Sequence, residues 1–288
     1  MPLLILVSLL WAFSFGLIKR HLGGVDSTFV AAARLGLALV VFLPFLRVRG
    51  VTWRTGLGLA GIGAVQFGLM YLAYIESFRY LRAYEAALFT ITTPIFVTLF
   101  ADALERTLRI HALVAALLAV AGTAFVAVRS SELQLTLTGL ALVQGSNAAF
   151  AVGQVAYRRL RQRTPALRDR DVFALLYGGA FLVAAAAVGV KGVAITLTPA
   201  QVWTLVYLGV LASGAGFFLW NVGATRVGSG TLAVMNNAKV PLAVVVSLLF
   251  FGETAPLPWL AASLVTLGVA VWLAERAPAR AEANKSTP

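Results

Sequence analysis

The chain has 288 residues, 60% of them hydrophobic and 12% charged, with a net charge of +12 and no cysteine. Soluble domains carry roughly 25% charged residues, so most of this surface meets something other than water. The missing cysteines exclude disulfides and thiolate metal sites.

A helix needs roughly 20 apolar residues to cross the hydrocarbon of a bilayer. Ten runs fit that ruler: residues 3–18, 28–46, 55–75, 83–101, 108–128, 137–157, 172–190, 200–221, 229–251 and 258–273. The runs are continuously apolar rather than alternating, which favours helices over barrel strands. A helix also satisfies its own backbone polar groups in lipid. The expected fold is an all-α membrane protein with no soluble domain. The first run has no charge before it and no clear cleavage site after it, so it is read as a retained helix.

In helix one, Trp11 and Ser14 share a face. Arg34, inside helix two, is expected to snorkel or to fix helix packing. Helix three places Gln66, Met70 and Tyr74 at i, i+4 and i+8, a face suited to an amphipathic ligand. Plain packing competes for Met70. Gly56, Gly58, Gly61, Gly63 and Gly68 are expected to let helix three approach its neighbours closely. Glu76 and Glu85 flank Arg79 and Arg82 and are read as a surface ion cluster.

Helix four carries Pro94 at its middle. The arginines from Arg158 to Arg170 are a topology signal, with anionic-lipid contact as an additional role, rather than a nucleic-acid site. With the N-terminus inside, fifteen loop and tail cations fall inside and six outside, which favours cytoplasmic termini. Lys19 and Arg20 locally argue the other way.

Helix six presents Gln144, Asn147 and Gln154 along one face, either lining a watery path or bonding neighbouring helices. Phe217 and Trp220 share a face of helix eight, where Trp220 is either a site residue or an interfacial anchor. Helix nine holds Asn236, Asn237 and Lys239 around its centre. A lysine there costs roughly 2.5–3.5 kcal/mol on insertion scales, so it is expected to face a cavity. There it would act as a counter-charge for a substrate carboxylate, or be held by amides and water. Asn236 lies on nearly the same face.

Tyr71–Pro94 and Phe218–Pro241 resemble one another. Each starts in an aromatic-rich helix end and passes an arginine, Arg79 or Arg226. A proline follows fifteen residues later in an apolar helix. Five helices per half means that the second half enters from the opposite face. The expected organisation is residues 1–130 and 131–274 as two inverted five-helix repeats around a central cavity, with 275–288 a polar cytoplasmic tail. Pro94 and Pro241 are then candidate hinges, with static bends as the competing role.

The segments LLWAFSFGLIK, FVAAARLGLALVVFLPF and AALFTITTPIFVTLFADALERT resemble the drug/metabolite transporter superfamily, EamA type. LGVLASGAGFFLWNVGATRVGSG and VPLAVVVSLLFFGETAPLPWLAASLVTLGVAVWL continue the pattern in the second half. The narrower likeness is to YddG-like bacterial amino-acid exporters. The resemblance implies a multi-pass protein of the bacterial inner membrane that exports small metabolites by alternating access, amino acids including aromatic ones first. Nucleotide sugars, drugs or an uncoupled pore are the alternatives. The polar Gln144–Asn147 stretch and the Asn236–Lys239 stretch depart from the usual pattern and leave the substrate open.

An enzyme is not expected: only His21 and His111 occur, with no H-E-x-x-H and no Walker loop. No cofactor, metal or nucleic acid is expected. The partners are membrane lipids and a small-molecule substrate, and the chain is read as a monomer. All eleven acids sit at helix ends, in loops or in the tail, so weak or absent proton coupling is expected.

Overall fold

The computed structural model describes residues 1–22, 24–81, 89–128, 136–192 and 195–242, with 258, 261–262, 265–270 and 272–273. Expectations for Arg82, Glu85 and the polar tail lie outside these residues. No strand occurs among the described residues.

The chain opens with α1, Pro2–His21, whose proline takes a first-turn position where no backbone donor is needed. Asp26 caps the next helix, α2, Ser27–Phe42, accepting from the amides of Thr28 (2.9 Å) and Phe29 (3.1 Å). Its other oxygen accepts from Lys191 Nζ at 2.6 Å. The start of α2 is thereby fastened to the end of a later helix.

A long third helix, α3, runs Trp53–Ser77 and contains a wider π-turn over Ala64–Leu69. After the 3₁₀ turn Thr90–Thr92 comes α4, Thr93–Glu105, then α5, Ile110–Val128. The α4–α5 corner is closed by Asp102, which accepts from the Arg109 amide at 3.0 Å and pairs with its guanidinium at 2.7 Å.

In the second half, α6 is Leu137–Arg163 and α7 is Asp169–Lys191. Gly192 ends α7 at φ 62°, the left-handed position that favours glycine. Pro199–Ala224 forms α8, opened by a Thr198–Gln201 capping box and widened into a π-turn over Tyr207–Ala215. The last of these helices, α9, is Ser229–Met235. Such π-turns are often found at functional sites, and here they fall in the third described helix of each half.

Among the described residues, four helical stretches are long and apolar enough to cross a membrane: Ser27–Phe45, Trp53–Ser77, Asp169–Lys191 and Pro199–Ala224. These match runs two, three, seven and eight of the sequence to within a few residues.

Glycine permits the tightest helix contact. A Cβ on Gly63 of α3 would collide with the Leu176 carbonyl of α7, and one on Gly179 would collide with the Ala60 carbonyl. Gly61, by contrast, faces open space, so only part of the helix-three glycine run serves close approach.

The two prolines differ from the expected mid-helix kinks. Pro94 sits in the first turn of α4, directly after the 3₁₀ turn. Pro241 lies in a helical turn resuming at Lys239 after the break Asn236–Ala238. Each helix thus breaks just before its proline, because the ring removes the donor that would bind the carbonyl four residues back.

Candidate functional site

Seven of the eleven residues nominated from sequence line one cavity: Trp11, Ser14, Met70, Tyr74, Asn147, Phe217 and Lys239. Its volume is about 90 Å³, several times the ~10–15 Å³ that one ordered water needs. The helices α1, α2, α3, α4, α6 and α8 surround it, together with the resumed turn after α9.

One side of the cavity is aromatic. Trp11 Nε1 donates to the Ala212 carbonyl at 2.9 Å, fixing the indole against the π-turn of α8. Phe217 meets its ring edge-on at 5.5 Å, and Phe150 does so at 6.0 Å. Phe67 stacks on Phe217 from behind, with centroids 4.3 Å apart and planes within 9°.

Two cations face this aromatic surface. Lys239 Nζ lies 5.4 Å from the Trp11 ring centroid, a cation–π distance. Arg34 is only 3% exposed. Its Nε donates to Ser213 Oγ at 3.1 Å and its Nη2 to the Tyr71 hydroxyl at 2.5 Å, while the guanidinium lies 4.4 Å over the Tyr71 ring. Tyr71 and Ser213 are themselves bonded at 3.0 Å. Among the described residues neither cation has a carboxylate partner, and no acid lines the cavity.

The remaining wall is polar and neutral: Thr90, Thr93, Ser146 and Asn147. It exists because α4 is broken. The Phe89 carbonyl accepts from Asn147 Nδ2 at 2.9 Å and Gln144 Nε2 at 3.3 Å, and the Thr90 carbonyl accepts from Thr93 Oγ1 at 2.6 Å. Carbonyls freed at the break are thus satisfied by side chains.

The other four nominated residues are engaged outside the lining. Gln66 and Asn221 exchange amide bonds at 2.8 and 3.1 Å. Trp220 is fully buried and donates to Gln154 Oε1 at 2.9 Å. Asn236 accepts from Gln154 at 3.5 Å and donates to the Leu232 carbonyl at 2.8 Å. Gln144 accepts from Thr92 Oγ1 at 2.7 Å. These are interhelical or intrahelical bonds, the competing role open to amides in the sequence.

Sequence reasoning had Arg34 snorkelling or fixing helix packing, named Ser146 only within the polar Gln144–Asn147 stretch, and did not single out Tyr71, Thr90, Thr93 or Phe150. A charge inside an apolar run is itself the signal for Arg34. Phe150 was reachable as the residue three beyond Asn147 on the same helix face. Among the described residues no group of histidines and acids stands ready for a metal.

The arrangement offers fixed positive charge, an aromatic surface and neutral hydrogen-bonding groups, all suited to binding an amphipathic anion.

The model of the EamA-like transporter family matches residues 1–128 and again 137–274. The chain is 41% identical over 281 residues to the biotin transporter of Salmonella typhimurium, covering 95% of this chain and 92% of that protein. It is 42% identical over 277 residues to the biotin transporter of Escherichia coli K12, with the same coverage. A probable biotin transporter of Pseudomonas aeruginosa is 43% identical over 277 residues, covering 95% and 96%. One solved crystal structure shares the fold at a TM-score of 0.79 and 20% identity, over 95% of this chain and 97% of that one. The chain belongs to the EamA-like transporter family and is a membrane transporter, not an enzyme.

Proposed function

We propose that this transporter carries biotin, or a closely similar small carboxylate with an apolar body, across the bacterial inner membrane by alternating access. The observation that carries this reading is that Arg34 and Lys239 line one cavity with no acid among its described lining residues. A buried charge without a partner is costly, and a substrate carboxylate supplies the counter-charge. Biotin adds a thioether ring and an alkyl chain that fit the Trp11–Phe150–Phe217 surface. Its ureido group can exchange hydrogen bonds with Asn147 and the threonines. The relatives named biotin transporters support the same substrate.

Amino acids, the sequence-based expectation, bring an ammonium group as well. The described lining has two cations and no acid to receive it, so the relatives and the charge balance both favour biotin.

We read the architecture as ten membrane helices in two inverted halves, 1–130 and 131–274, with both termini cytoplasmic. The double family match, the paired π-turns and the paired proline breaks support that reading. Direction of net transport follows the substrate gradient in such a carrier.

The test is counterflow in proteoliposomes. Vesicles preloaded with unlabelled biotin should accumulate labelled biotin with saturation, and an amino-acid preload should not drive it. Non-saturating flux would mark a pore, and counterflow with amino acids alone would restore the other substrate class.

A further inference from the structure

A second space lies toward the other end of the helices that hold the cavity. It is a cleft between the start of α3 and the ends of α4 and α6, lined by Arg54, Arg106, Arg159 and Arg163 with a single acid among the described residues, Glu105. That acid is taken: Glu105 pairs with Arg109 at 2.9 Å. Arg159 donates to the Leu104 carbonyl, and Arg54 lies 5.5 Å over the Trp53 ring. None of the four cleft arginines has a carboxylate partner among the described residues.

The cleft and the cavity meet at one helix crossing. On α3, Ile62 lines the cleft and Met70 the cavity, with Gln66 halfway between, one turn or about 6 Å from each. On α6, Ala156 lines the cleft and Phe150 the cavity, with Gly153 between them. A Cβ on Gly153 would collide with the Gln66 side chain, so α3 and α6 touch there. Gln66 is also locked to Asn221, and the neighbouring Gln154 to Trp220. Gln66, Asn221 and Gln154 therefore lie at the crossing between cavity and cleft.

We infer that the arginine cleft is the opposite mouth of the substrate route, an anion-collecting vestibule for small carboxylates that is closed from the cavity by the Gln66–Gly153 crossing. This rests on the biotin reading above. Unpaired rim cations raise the local concentration of an anion and its rate of arrival. Separation of α3 from α6 then joins vestibule and cavity. A phospholipid headgroup is the other anion that could occupy this cleft, but the cleft's alignment with the cavity across the same crossing favours the substrate.

The chain has no cysteine, so an Ala156→Cys variant in proteoliposomes reports on the vestibule alone. A negatively charged thiosulfonate should label it faster than a positively charged one by roughly tenfold, and R54Q/R163Q should erase that preference. Saturating biotin should slow the labelling, and replacing phosphatidylcholine by phosphatidylglycerol should not. Thr55→Cys gives a second reporter if Ala156→Cys folds poorly. Labelling indifferent to biotin, in protein that still exchanges biotin, overturns the vestibule and leaves the biotin reading standing. Slowing by phosphatidylglycerol but not by biotin makes the cleft a headgroup seat and also overturns it. Absence of biotin exchange in the unsubstituted protein removes both.

Discussion

The Asn237 side-chain amide donates to the Ile91 carbonyl at 2.9 Å, joining the break before Pro241 to the break before Pro94. Residues 146 positions apart in sequence thus connect the two interrupted helices of the two halves. Each proline removes a helical donor, and this bond places a donor from one break on a carbonyl of the other. Asn237→Ala should leave the Ile91 carbonyl buried and unsatisfied, at a cost of about 1–3 kcal/mol. The expected result is a lower melting temperature in detergent together with an altered exchange rate. A drop in stability with unchanged exchange would make the link purely structural.

Arg34 is held on two sides, by Ser213 and Tyr71, and covered by the Tyr71 ring. Its Nε and Nη2 are thereby engaged, and Arg34 lines the cavity. Arg34→Gln should weaken biotin exchange roughly tenfold or more, the scale of losing a charge-assisted hydrogen bond. Tyr71→Phe keeps the guanidinium and the ring face, so it should cost less. Equal losses in both variants would mean that the triad shapes packing rather than meeting substrate.

Lys239 differs from Arg34 in being only half-buried and resting against Trp11. Lys239→Ala should raise the KM for biotin roughly tenfold with normal membrane expression. An unchanged KM would take Lys239 out of the binding site.

The long apolar runs made α2, α3, α7 and α8 legible to within a few residues, because hydrocarbon thickness fixes their length. The cavity face was legible where polar and aromatic residues recur at helical spacing: Trp11 with Ser14, and Met70 with Tyr74. It was not legible where the helix departs from that spacing. Gln66, expected on the face of Met70, lies within the π-turn over Ala64–Leu69 and bonds Asn221 instead of lining the cavity. Trp220 was not legible for another reason: it follows Phe217 by three residues in regular helix, yet it is fully buried and bonded to Gln154, a partner on another helix that its spacing does not announce. Nothing in residue types announces the wide turn of α8, whose Ala212, Ser213 and Gly214 carbonyls accept from Trp11 and Tyr177 on other helices.

Asp26 offers a test away from the cavity. Its burial would raise the carboxyl pKa, but bonds from Lys191, from the Thr28 hydroxyl and from the Phe29 and Thr28 amides outweigh this. Together they hold it well below the ordinary 3.8. A depressed folded-state pKa gives stability that is complete above the unfolded value and is lost as pH falls from there through the folded one. Asp26→Asn keeps a capping oxygen but not the charge. It should melt below the unsubstituted protein at neutral pH, and the gap should narrow below about pH 4. A constant gap across that range would show that the carboxylate charge, and with it the Lys191 pair, is not what stabilises this corner.

The charge pattern of the cavity also bears on energy coupling. Proton-coupled carriers commonly place a carboxylate in the membrane to take up and release the proton. The described lining holds Arg34 and Lys239 but no acid, and an arginine does not release its proton in this setting. Lys239 is the one lining cation that can, and its partner, Trp11, is a ring face rather than a base. An imposed pH gradient should therefore not drive uphill biotin accumulation in proteoliposomes beyond that of protein-free vesicles. Exchange against a biotin preload should proceed at the same rate with or without the gradient. Gradient-driven accumulation that survives Lys239→Arg would require a proton-carrying acid elsewhere on the route. Accumulation abolished by that substitution would instead make Lys239 the coupling residue.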